Sequence, residues 1–136
     1  MARERSSRSA GKVPSRLSGD GIGVYVGASN VDYQTHTSVD LAAIQSHFIA
    51  GNSLSIIAHR VSYAFDWSGP SMTIDAACAS SFVALHQALR ALRDGEIDLA
   101  VVAGANLLLS PAPFIGFSAA RMLSPTGRCR PFSAKG

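Results

Sequence analysis

At 136 residues, 47% hydrophobic and 15% charged, where a soluble domain usually carries about 25% charge, the chain is one domain or part of one, with surface expected to lie against the rest of a larger fold or a second subunit. Its two cysteines, Cys78 and Cys129, have unlike flanks and no C-x-x-C pairing, which argues against a disulfide framework or metal site and for a reducing cytoplasm; its longest apolar run, Leu99 to Leu109, is too short for a bilayer. The net charge of +3 is concentrated in Arg3, Arg5, Arg8, Lys12 and Arg16, with no interleaved aromatic for base stacking and no apolar stretch behind them for a secretory signal, so neither nucleic acid nor membrane is expected as a partner.

Residues 1–20 read as a basic, disordered leader and 21–136 as the domain proper. Gly23-Val-Tyr-Val-Gly27 reads as a short buried strand, followed by the turn-like Ala28-Ser29-Asn30. Asp40 to Ala50 has Leu41, Ile44 and Phe48 on one face, which predicts a helix stopped by Gly51. Asn52 or Ser53 can cap a second helix running to about Tyr63, broken by Trp67-Ser-Gly-Pro70. Ser71 to Ala76 alternates like a strand.

Ala79 to Arg93 is then predicted to be helical. Phe82, Leu85, Leu89 and Leu92 form a single apolar stripe on it, Arg90 and Arg93 suit the last turn, and Gly95 ends it. Leu99 to Gly104 is continuously apolar, as a strand covered on both faces should be. Strand, helix and strand within about 35 residues make one parallel βαβ crossover, and the whole reads as a layered α/β fold. Pro111 to Gly136 reads as loop with short elements.

Cys78 falls where a strand feeds a helix. The first helical N–H groups lack intrahelical partners and carry partial positive charge. A thiolate there is stabilised, and the same N–H groups can face the oxyanion of an attacked thioester. Ala76, Ala77 and Ala79 leave room for a sharp turn, as in a hydrolase elbow. Residue pattern alone leaves a second reading open, that Cys78 is a small buried hydrophobe.

The run Gly69-Pro-Ser-Met-Thr-Ile-Asp-Ala-Ala-Cys-Ala-Ser-Ser81, followed by Val83-Ala-Leu-His-Gln-Ala88, resembles the nucleophile motif of ketosynthases, the condensing domains of polyketide and fatty-acid synthases. Typical members read G-P-S-x-x-V-D-T-A-C-S-S-S there, then V-A-L-H-x-A. Gly23-Val-Tyr-Val-Gly-Ala28 resembles G-V-F-V-G-A, and His59-Arg-Val-Ser-Tyr63 resembles N-R-I-S-Y. Phe117 to Phe132 resembles F-S-x-A-x-M-L-S-P-x-G-R-C-x-x-F. The resemblance covers nearly all of residues 21–136, in order.

It implies a partial thiolase-like fold, the incomplete N-terminal half of a layered α/β/α domain with a mostly parallel sheet. It implies that Cys78 takes an acyl chain from the phosphopantetheine of an acyl carrier protein for decarboxylative Claisen condensation, with its own N–H as one oxyanion donor. No cofactor is implied beyond that carried substrate, no metal is implied, and the parent domain is expected to dimerise. By position, Phe117 lines the acyl pocket or is ordinary core, and Cys129 is structural.

Ala76 stands where Thr is usual, Ala79 where Ser is, and His59 where Asn is. The family's two catalytic histidines, in H-G-T-G-T and N-x-G-H motifs, have no match among His36, His47, His59 and His86. The chain is therefore expected to be inactive alone. A non-catalytic module that binds carrier protein or a partner is the other functional reading.

Overall fold

The computed structural model describes residues 11, 13–37, 42, 44–130 and 132–134. Its centre is strand β1 (Gly23–Gly27), buried along its whole length. β1 pairs in parallel with β2 (Ser71–Ile74) on one side and β3 (Ala100–Gly104) on the other. Gly27 lies in register with both Ile74 and Gly104, so the three strands end together. The predicted βαβ unit is present and parallel, but its strands straddle β1. A strand as apolar as Val24-Tyr-Val26 belongs where both faces are covered.

Alternation along β1 divides its side chains between two layers. Val24 and Val26 pack with Ala58, Val61 and Trp67 on one face. Tyr25 packs with Ala84, Ala88, Ala91 and Ile97 on the other. The first layer is helix α3 (Ser55–Phe65) and the second is α4 (Ser80–Arg93). Before them come the short helices α1 (Asp32–Thr37) and α2 (Phe48–Asn52).

α3 ends as a Schellman motif. Asp66 adopts the left-handed conformation (φ 55°), its N–H donates to the Tyr63 carbonyl, and the Trp67 N–H donates to the Ser62 carbonyl. Gly or Asn is the usual residue there; here Asp66 is also held by the Ser18 hydroxyl, which donates to its carboxylate at 2.7 Å. Leu17 packs against the core nearby. Residues 13–20 therefore join the packed chain, although the sequence places them in a disordered leader; residues 1–10 and 12 lie outside the described set. Neither Asn52 nor Ser53 caps α3. Asn52 donates to the Phe48 carbonyl, Ser53 pairs with the Ser55 hydroxyl, and Leu54 precedes the helix without a side-chain cap bond.

Two helix expectations need correction. In the span predicted helical from Asp40 to Ala50, residues 44–47 are non-helical and α2 runs only from Phe48 to Asn52, through Gly51; positions 40, 41 and 43 lie outside the described residues. Of the face predicted to drive this helix, Ile44 is exposed and Phe48 only half-buried, which leaves little tertiary packing to extend a helix this short. On α4 the stripe read from the sequence is the outer one. Phe82 is 75% exposed, and Leu85, Leu89 and Leu92 are also exposed, while Ser80, Ala84, Ala88 and Ala91 are buried. Alanine methyls let the helix lie close to the sheet; leucines there would hold it off.

Residues 107–136 form a separate compact unit. It holds helix α5 (Ala112–Ala119), apolar on every side and with no buried residue. Among the described residues no helix is long and apolar enough to cross a membrane.

Candidate active site

Chain direction sets the position of the site. The parallel strands all end at Gly27, Ile74 and Gly104, and in such sheets ligands gather beyond the carboxyl ends. From Ile74 the chain must turn sharply to enter α4. It does so through a 3-10 turn, Ala77–Ala79, with Cys78 at its middle and α4 starting at Ser80. This is one residue later than the predicted helix start, and Cys78 precedes the α-helix by two residues.

The turn requires an unusual backbone. Ala77 has φ +49°, a left-handed conformation that costs an L-residue roughly 1–2 kcal/mol. The hydrogen bonds around it are specific. The Asp75 carboxylate accepts from the Ala77 N–H at 3.0 Å. The Ser80 hydroxyl accepts from the Ala76 N–H at 2.9 Å and donates to the Ala77 carbonyl at 2.6 Å. The Ala79 N–H donates to the Ala76 carbonyl, and the Ser80 N–H to the Ala77 carbonyl. The Cys78 N–H has no acceptor among the described residues.

Space around the turn is set by two glycines. A Cβ on Gly27 would fall 2.5 Å from the Ser81 amide nitrogen, and one on Gly104 would fall 3.1 Å from the Ser81 Cβ. The first turn of α4 thus rests directly on the ends of β1 and β3. Cys78 is exposed, which removes the reading of it as a buried hydrophobe. An exposed thiol, an amide free on the same residue and the positive end of a fourteen-residue helix just behind make an arrangement suited to attack on a carbonyl.

The other sequence candidates are carried by other elements. Phe117 is on α5 in the 107–136 unit and is 46% exposed; Cys129 belongs to the same unit and is exposed. His59 and His86 are exposed on α3 and α4. Among the described residues no group of three or more His, Cys, Asp and Glu side chains is arranged to hold a metal ion. A cleft of about 490 Å³, lined by Leu17, Ile22, Ile97 and Leu99 among others, opens at the amino ends of the strands, the opposite end of the sheet from Cys78. Asp75, Ser80, Gly27 and Gly104 carry parts of the turn that the sequence reading did not single out. An Asp two residues before a tight turn and a Gly ending each of two strands were the available signals.

Residues 4–136 match the family model for the beta-ketoacyl synthase, N-terminal domain. The chain is 49% identical over 129 residues to the hybrid PKS-NRPS synthetase mycA of Thermothelomyces thermophilus, covering 95% of this chain and 3% of that protein. It is 52% identical over 122 residues to the polyketide synthase-nonribosomal peptide synthetase hybrid himA of Aspergillus japonicus, covering 90% of this chain and 3% of that one. Among solved structures, the ketosynthase from module 6 of the bacillaene synthase of Bacillus subtilis 168 matches with a TM-score of 0.77 at 35% identity, over 93% of this chain and 21% of that chain. An oxazolomycin ketosynthase domain of Streptomyces albus JA3453 matches with a TM-score of 0.72 at 36% identity, over 90% and 21%. The chain therefore spans about a fifth of the ketosynthase structures it matches and a few per cent of the synthases. A layered parallel α/β fold, an exposed cysteine on a strained strand-to-helix turn and a match along nearly the whole length lead to one assignment: this chain belongs to the beta-ketoacyl synthases, as part of the N-terminal domain of a polyketide synthase ketosynthase.

Proposed function

We propose that Cys78 is the acyl-accepting nucleophile of a ketosynthase. The observation that supports this most directly is the exposed thiol on the turn before α4, beside a backbone N–H with no acceptor among the described residues. The Cys78 thiolate attacks the carbonyl carbon of an acyl group carried on the phosphopantetheine arm of an acyl carrier protein. A carbon–sulfur bond forms, the Cys78 N–H receives the developing oxyanion, the bond to the pantetheine sulfur breaks, and that thiolate leaves and takes up the proton. In the complete domain a decarboxylated malonyl unit would then attack the acyl group, and a homodimer is the expected state. None of the four histidines lies in either histidine motif, so acylation of Cys78 is the step proposed for the residues in this sequence. Phe117 is proposed to line the acyl pocket.

Incubation with an acyl-carrier thioester followed by intact-protein mass measurement tests the reading. One acyl group is expected on the wild type and none on Cys78→Ala. A folded wild-type chain that takes up no acyl group overturns it. A second reading, a module that pairs with carrier protein or a partner without reacting, draws support from the exposed apolar face of α4. Binding of carrier protein with no adduct would favour it.

A further inference from the structure

We propose that Ser80 is a positioning residue that holds Cys78 in its reactive place by closing the backbone of the preceding turn; the link to acyl transfer rests on the reading of Cys78 above. A serine at the start of a helix ordinarily caps it, its oxygen accepting from N–H groups one turn further on. Ser80 points its bonding the other way. Its hydroxyl accepts from the Ala76 N–H and donates to the Ala77 carbonyl, both ahead of α4. Neither bond serves the helix. Together they close a loop of five residues, 76–80, with Cys78 at its centre.

Burial makes the closure matter. Ser80 is 5% exposed, whereas its neighbours Cys78, Ala79 and Ser81 are exposed. The hydroxyl is thus held in packed surroundings while the two residues it joins, Ala76 and Ala77, are exposed, so it anchors an otherwise open turn to the buried start of the helix. The φ +49° torsion of Ala77 sits between the two bonded groups. Without the hydroxyl, the Ala77 carbonyl keeps only the backbone N–H of Ser80, and the left-handed conformation loses the bond that fixes both sides of it. The thiol then samples several directions instead of one.

Cys129 supplies an internal reference, being exposed in the other unit. The full chain is treated briefly with iodoacetamide, and the ratio of labelling at Cys78 to that at Cys129 is read by peptide mass spectrometry, in buffer and in urea. Ser80→Ala is expected to lower the native ratio roughly five- to tenfold, the loss of about one to two ordinary hydrogen bonds. Ser80→Thr, which keeps the hydroxyl, is expected to restore it. A native ratio in Ser80→Ala equal to that of the wild type overturns the proposal. If Ser80→Ala is unfolded, shown by equal ratios in buffer and urea, the pair Ser80→Thr and Ser80→Val decides, since the two match in shape and differ in the hydroxyl. A lower ratio in Val supports the proposal and equal ratios overturn it. A parallel series with an acetyl N-acetylcysteamine thioester separates the two readings. Alkylation that depends on Ser80 in a chain that accepts no acetyl group sinks the acyl-transfer reading and leaves the positioning role standing.

Discussion

Gly27 at the end of β1 presses against the backbone of Ser81, leaving no room for a side chain between strand and helix. Gly27→Ala is expected to destabilise the chain by about 1–3 kcal/mol, the usual range for an overpacked interior, because a Cβ there meets backbone that cannot rotate away. Gly51→Ala is the control. It lies in α2 with nothing within 4 Å of an added Cβ and is expected to stabilise by about 0.5–1 kcal/mol. Urea unfolding midpoints of the two variants should move in opposite directions.

Ala77 carries the only strained φ in the turn, and glycine would remove the strain. Ala77→Gly gains roughly 1–2 kcal/mol from relief of the left-handed penalty and loses about 0.5–1 kcal/mol to the freer unfolded chain. Its melting temperature is therefore expected to equal or exceed the wild type's. A drop of several degrees would show that the turn is not held in this conformation in solution.

The two faces of α4 should respond oppositely to substitution. Ala84 is fully buried against the sheet, so Ala84→Leu is expected to cost about 1–3 kcal/mol. Leu89 is exposed on the other face, so Leu89→Gln should leave stability within about 0.5 kcal/mol while reducing self-association. Sedimentation velocity reads the second effect. The wild type is expected to oligomerise or precipitate when expressed alone, and a single monomeric boundary would count against that.

Tyr25 gives a pH dependence. Burial, with the nearby Glu96 carboxylate adding to it, raises the Tyr25 hydroxyl above its ordinary 10.0. Above that value the unfolded chain loses this proton while the folded chain keeps it, so unfolding gains and stability falls. The stability that Tyr25 contributes is complete below pH 10.0 and declines from there toward the raised value of the folded state. Tyr25→Phe is expected to flatten the alkaline limb of a stability–pH curve.

The strands were legible because they are short, apolar and bounded by glycine or proline. Gly23–Gly27, Ser71–Ile74 and Ala100–Gly104 all lie within the predicted spans. Cys78 was legible because its motif is contiguous. The orientation of α4 was not. Phe82, Leu85, Leu89 and Leu92 have by far the larger hydrophobicity, and a count of apolar residues assigns them inward; close helix–sheet packing selects alanine instead. Ser80 was invisible for a different reason. Its role depends on which way a hydroxyl reaches along the backbone, and spacing carries no such information. The cap of α3 failed likewise, since Asn52 and Ser53 spend their side chains on other partners.

Because α4 rests on the sheet through the methyl groups of Ala84, Ala88 and Ala91, it behaves as a stiff beam on three low supports, with the thiol overhanging one end. Lengthening the support at Ala91 would lever the helix about its first turn, which already rests on Gly27. The direction of the Cys78 thiol is thereby adjustable from about 20 Å away along the helix axis, by side-chain size alone.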